Sequence, residues 1–98
     1  MVPVGKVGPE VHAFVRTKAF LRAYKKLPDH IKQDFKRFIG EMKAGDYLPS
    51  RDIKPRKGSR KGKPKEWQAR LSASHRVTFH FKDGEAILLL IGEHKHFD

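Results

Sequence analysis

The sequence predicts an α+β domain: an N-terminal strand, a helical hairpin, then a three-stranded antiparallel sheet with the helices covering one of its faces. Three observations carry this. Apolar residues recur at helical spacing between Phe20 and Met42. They alternate with polar ones between Glu66 and Lys82. The dipeptide Asp83-Gly84 then stands before a last apolar run, as the turn of a hairpin does.

The elements follow in order. Val11 to Arg16 (VHAFVR) is rich in Val and Phe and reads as the first strand. Thr17 suits the cap of a helix on which Phe20, Leu21, Tyr24 and Leu27 share a face. Pro28 interrupts it, and Asp29 suits the cap of a second helix with the stripe Ile31, Phe35, Phe38, Ile39 and Met42. Gly45 fits the left-handed position that ends it. In Glu66–Ser72, Trp67, Ala69 and Leu71 face one way and Gln68 and Arg70 the other. In His75–Lys82, Val77, Phe79 and Phe81 face inward, while Arg76, Thr78 and His80 face outward. Ala86 to Ile91 is apolar on both faces and is expected to be the central, most buried strand. Trp67, Phe79 and Phe81 are expected in the core.

At 98 residues the chain is one domain by size. Residues 1–10 hold two prolines and two glycines and are expected to be a flexible segment before a single domain over 11–98. The stretch from Tyr47 to Lys65 has no periodicity. It carries Lys54, Arg56, Lys57, Arg60, Lys61, Lys63 and Lys65 among prolines and glycines, and reads as a mobile basic loop. There is no cysteine, so a disulfide framework and thiolate metal sites are excluded, and the chain fits the reducing cytoplasm. Nothing reads as a secretory signal, and the longest apolar run is too short to span a bilayer.

Charge points to the partner. Twenty-two Lys and Arg against eleven Asp and Glu give a formal net charge of +11. A polyanion is the natural ligand, nucleic acid first, an acidic protein second and an anionic membrane third. No basic amphipathic helix with an aromatic-rich face favours the membrane. The seven loop cations suit phosphate tracking, although a solvated insert would look the same. Such contacts specify no base sequence.

The outward face of the sheet gathers Gln68, Arg70, Arg76, Thr78 and His80. Two arginines there make a phosphate-sized site, because a guanidinium forks onto phosphate oxygens and stays charged. A plain solvated sheet face is the competing reading. His94 and His96 lie just past the last strand, and imidazoles trade protons near neutral pH, as RNA transesterification requires. Their spacing is a poor zinc signature without a third ligand, so neither a metal nor any cofactor is expected.

The run Trp67-Gln-Ala-Arg70-Leu-Ser-Ala-Ser-His75-Arg76-Val-Thr-Phe79, a hairpin, and then Ile87-Leu-Leu-Leu-Ile91-Gly92-Glu-His94 resembles the C-terminal half of RelE/ParE superfamily toxins. Phe20…Tyr24-Lys-Lys-Leu27-Pro28…Ile31 is similar to their helical hairpin, and Lys54-Pro55-Arg56-Lys57-Gly58 to the stretch before their second strand. The resemblance covers most of the chain from Val11 onward. It implies a RelE-like fold akin to microbial ribonucleases, and a toxin that cleaves mRNA on the ribosome to a 2′,3′-cyclic phosphate without a metal. It also implies an acidic antitoxin as partner. By position Arg76 matches the arginine that contacts the scissile phosphate. Arg70 falls where relatives place a basic or histidine side chain, and His94 where they place a catalytic arginine or histidine. Gly92-x-His94 is nearest to the YafQ-like branch, with Phe97 as its later aromatic residue. Two departures stand out: no tyrosine ends the site, and an acidic residue of the turn before the arginine strand is Ser74 here. The general base is then His94, His96 or His80, in that order. The alternative functions on this scaffold are a ParE-like DNA gyrase inhibitor and a non-catalytic RNA-binding relative.

Overall fold

The computed structural model describes residues 6–7, 11–56 and 65–96. In chain order the elements are β1 (Lys6–Val7), β2 (Ala13–Arg16), α1 (Lys18–Lys25), α2 (Asp29–Lys43) and β3 (Asp46–Tyr47). After a single 3-10 turn at Pro49–Arg51 come β4 (Lys54–Pro55), β5 (Trp67–Arg70), β6 (His75–Lys82) and β7 (Glu85–Glu93), and a second 3-10 turn at His94–His96.

The β6–β7 hairpin is the spine. Its turn residues Asp83 and Gly84 both adopt positive φ, 50° and 78°, the backbone that a tight two-residue hairpin needs. The main sheet runs β2-β7-β6-β5-β4, antiparallel except that β2 lies parallel to β7. Parallel neighbours require a long crossover, and α1 and α2 fall within the chain that joins these two strands.

Thr17 caps α1: its Oγ1 accepts from the Phe20 N–H at 3.2 Å and donates to the Leu88 carbonyl at 2.9 Å, which ties the helix start to β7. Asp29, expected as the cap of α2, is instead its first helical residue, and Pro28 holds the cap position. Proline brings an extended backbone there, and its carbonyl accepts from Ile31 and Lys32. The Asp29 carboxylate still stands at the positive end of the helix dipole. Gly45 turns left-handed (φ 71°) after α2, as expected.

The core lies between the helical stripe Phe20, Ile31, Phe35, Phe38 and Met42 and the inner sheet residues Val77, Phe79, Ala86, Leu88 and Ile91. Phe38 meets Phe79 with ring centroids 6.0 Å apart. Phe79 is fully buried, whereas Trp67 and Phe81 are half-buried and pack against the core from its rim.

Several expectations are corrected. The middle and most buried strand is β6, because β2 and β4 extend the sheet on either side of the three expected strands. The apolar outer face of β7 is partly open, with Leu90 44% exposed. Of the stretch 47–65, expected as a mobile loop, residues 47–56 hold a 3-10 turn and β4, which pairs with β5, and residues 57–64 lie outside the described residues. Within residues 1–10, Lys6–Val7 pairs antiparallel with β3. The strand expected from Val11 begins at Ala13, while Val11 itself is a core residue.

Candidate functional site

Strand register sets the outward face, since residues directly opposite one another point the same way with Cβ atoms about 5 Å apart. One row is Arg70, Arg76 and Gly92 across β5, β6 and β7. The next, two residues along, is Lys54, Gln68, Thr78 and Leu90. The third contains His80, Ile87 and Val15. Leu89 has no partner on β6, because Thr78 pairs with Leu90 and Phe79 with Leu88. This bulge brings Leu90 onto the outward face.

The arginine row is the candidate site. Arg70 is exposed, but Arg76 is only 7% exposed despite its outward direction. Its Nη1 donates to the carbonyls of Ser72 (2.9 Å) and His75 (3.1 Å). Two fixed acceptors hold one edge of the guanidinium, and a planar fork held on one edge presents the other in a set direction. His94 opens the turn after β7, half-buried, and its N–H donates to the Ser74 carbonyl at 2.7 Å. Arg70, Arg76 and His94 are thus gathered at one end of the sheet. His96 closes the same turn, its side chain outside the described residues. His80 is not gathered with them. It lies four residues along β6 from Arg76, about 13 Å at strand rise, with Nδ1 3.1 Å from the Lys65 carbonyl oxygen.

No protein-family model matches the chain, and no curated protein does. Solved structures do match. The RelB–RelE antitoxin–toxin complex from Methanococcus jannaschii superposes with a TM-score of 0.65 at 22% identity, covering 84% of this chain and 92% of that one. The DinJ–YafQ toxin–antitoxin complex of E. coli gives 0.69 at 15% identity, covering 85% and 92%. A metal-bound toxin from Helicobacter pylori gives 0.68 at 17% identity, covering 88% and 98%. The chain has the RelE/YafQ toxin fold.

On this RelE-like fold the expected RNA-binding cations divide. Lys54 is exposed and pairs with Asp52 at 3.2 Å. Arg56 is half-buried against Glu66. Lys65 is exposed, its ammonium 5.9 Å from the Trp67 ring centre. Lys57, Arg60, Lys61 and Lys63 lie outside the described residues, as does Phe97. Among the described residues no group of three or more His, Asp or Glu could hold a metal ion.

Sequence reasoning missed three residues at this end of the fold. His75 is buried on the helix side of β6, with Nδ1 2.7 Å from Ser74 Oγ. Burial pushes its pKa down; Glu93 across the hairpin opposes this and His30 adds to it. It lines a cleft of about 480 Å³ with Lys26, Leu27, Pro28, Ile91 and Glu93. Strand parity was its one signal, since it shares the inward phase of Val77. Arg51 and Glu41 form a largely buried pair behind the site; nothing in their spacing announces it.

Proposed function

We propose that this chain is the toxin of a type II toxin–antitoxin pair, an endoribonuclease that cleaves mRNA on the ribosome in the cytoplasm. The observation that carries the reading is Arg76, an outward arginine locked to two carbonyls beside Arg70 and close in the fold to His94. The two guanidiniums grip the scissile phosphate and offset the charge that builds on it. A base takes the proton from the 2′-hydroxyl, and the 2′-oxygen attacks phosphorus. The bond to the 5′-oxygen breaks, and an acid protonates that oxygen. The products are a 2′,3′-cyclic phosphate and a 5′-hydroxyl. His94 is the first choice for a proton-transfer role and His96 the second; the distance along β6 puts His80 last. Lys54, Arg56 and Lys65, with Lys57, Arg60, Lys61 and Lys63, grip RNA phosphates, and an acidic antitoxin covers the same basic surface.

Single-turnover cleavage on programmed ribosomes tests this. Arg76→Ala is expected to lower the rate about a hundredfold or more. His94→Gln is expected to abolish cleavage nearly completely while ribosome binding persists, because glutamine moves no proton. No cleavage by the wild type, with gyrase-dependent DNA damage in its place, overturns the reading in favour of a gyrase inhibitor.

A further inference from the structure

The groups assigned to cleavage converge on one short turn. Arg70 ends β5, and Leu71–Ser74 lead into β6. The Ser72 carbonyl accepts from Arg76 Nη1 at 2.9 Å, and the Ser74 carbonyl accepts from the His94 N–H at 2.7 Å. One hydroxyl shapes the segment between them. Ser72 Oγ accepts from the backbone N–H of Ser74 and of His75, each at 3.2 Å, and lies 3.2 Å from Ser74 Oγ. That leaves few rotations by which the two carbonyls could drift apart.

The turn is braced from behind. Arg51 Nη1 donates to the Leu71 carbonyl at 2.9 Å and the Arg70 carbonyl at 3.4 Å. Its Nε and Nη2 hold the two oxygens of Glu41 on α2, at 2.8 and 3.0 Å. The guanidinium also stands 5.9 Å from the Phe38 ring centre. A largely buried ion pair adds little net stability over an apolar pair of the same size. What this one does supply is direction: one planar group fixes the end of β5 against α2.

We propose that the Ser72–Ser74 turn, braced by Arg51 and Glu41, is the positioning element that sets Arg76 and His94 relative to each other, with Ser72 and Arg51 as positioning residues. The inference rests on the ribonuclease reading for its purpose, not for its geometry. A misplacement of about 1 Å at a reacting group costs on the order of a hundredfold in rate, so a turn that ties two such groups together bears directly on the chemistry.

The test pairs two measurements on the full chain, wild type beside Ser72→Ala, Ser72→Thr and Arg51→Lys. The first is hydrogen exchange of the His94 amide, with the amides of Val77, Phe79 and Leu88 as reporters of the global fold. The second is single-turnover cleavage on programmed ribosomes with ribosome affinity measured separately. Ser72→Ala is expected to speed His94 exchange and to slow cleavage, each about tenfold, the loss of roughly one neutral hydrogen bond. Ribosome affinity stays unchanged, and the reporter amides remain protected well beyond the His94 amide, so the fold is retained. Ser72→Thr keeps the hydroxyl and restores both. Arg51→Lys keeps the charge but cannot bridge Glu41 and Leu71 together, and behaves like Ser72→Ala. Wild-type exchange at His94 in Ser72→Ala overturns the proposal, as does a wild-type cleavage rate while Arg76→Ala is inactive. Faster His94 exchange in a chain whose wild type cleaves no RNA keeps the positioning turn and overturns the ribonuclease reading instead.

Discussion

Arg76 and Thr78 are neighbours on the outward face of β6, both buried, and their polar groups fare differently. Arg76 is satisfied by the Ser72 and His75 carbonyls. Thr78 Oγ1 is the one fully buried side-chain polar atom without a hydrogen-bond partner among the described residues. A buried hydroxyl without a partner costs about 1–3 kcal/mol. Thr78→Val keeps the shape and removes that cost. Chemical denaturation should find the variant more stable by about 1 kcal/mol; a loss of stability would mean that the hydroxyl has a partner in solution. His75 supplies a pH prediction. Its imidazole titrates lower in the fold than its ordinary value of about 6.5. The unfolded chain therefore binds the proton more readily. The stability from the neutral side chain is complete above pH ~6.5 and is lost as pH falls through the lower, folded value. Denaturation midpoints of wild type and His75→Gln, compared between pH 7.5 and 5, should show the steeper acid loss in the wild type. At this scale the sequence told only part. Parity put Arg76 and Thr78 on the outward face, but alternation carries no trace of their burial or of the carbonyls that hold Arg76.

At the scale of elements, the signals that could be read were local and periodic. Asp83-Gly84 with its flanking alternation placed β6 and β7, and the stripes with Thr17 and Gly45 placed the helices. Long-range pairings were hidden. Lys54–Pro55 pairs with β5 although proline and lysine argue for loop, and only the finished sheet edge offers them a place. The bulge at Leu89 was equally silent, because a run apolar on both faces looks the same in either register. Arg70, Arg76 and His94 could be picked out as residues, but the turn joining Arg76 to His94 could not, since it is held by carbonyls that every sequence has. The brace behind that turn belongs to this scale too. Arg51→Ala removes charge-assisted bonds and leaves the Glu41 carboxylate only 18% exposed without its partner. The expected cost is about 2–3 kcal/mol, read as a lower denaturation midpoint. Glu41→Gln with Arg51→Met should recover part of it, because an apolar replacement removes the desolvated charge as well as the bond.

For the whole molecule the governing quantity is charge. A chain of 98 residues with a net charge of +11 repels itself, and the described residues offset this at only a few places, such as Arg51 with Glu41 and Arg56 with Glu66. Much of the positive charge of the sequence lies between Lys54 and Lys65; of its described residues, Lys54 stands one row from the arginine row, whereas Arg56 and Lys65 lie toward the His80 end of the sheet. If that density serves phosphate binding, neutralising Lys57, Arg60, Lys61 and Lys63 to Gln together takes the net charge from +11 to +7, the loss of four cations. Each lost phosphate contact flattens the slope of log affinity against log salt by about 0.7 to 0.9. Four give about 3 units, with a large loss of ribosome affinity at low salt and a smaller one at high salt. The loss should be the same for every mRNA sequence, because backbone contacts carry no base information. The cleavage rate of the bound complex should hold, since Arg70, Arg76 and His94 are untouched. Thermal stability should hold or rise slightly as self-repulsion falls. Binding titrations from 50 to 300 mM salt, wild type beside the fourfold variant, measure all of this; the range spans the region where screening lengths are about 10 Å. Parallel salt slopes for the two proteins would show that these four cations are a solvated insert, and would move the phosphate contacts to Lys54, Arg56, Lys65 and the arginine row alone.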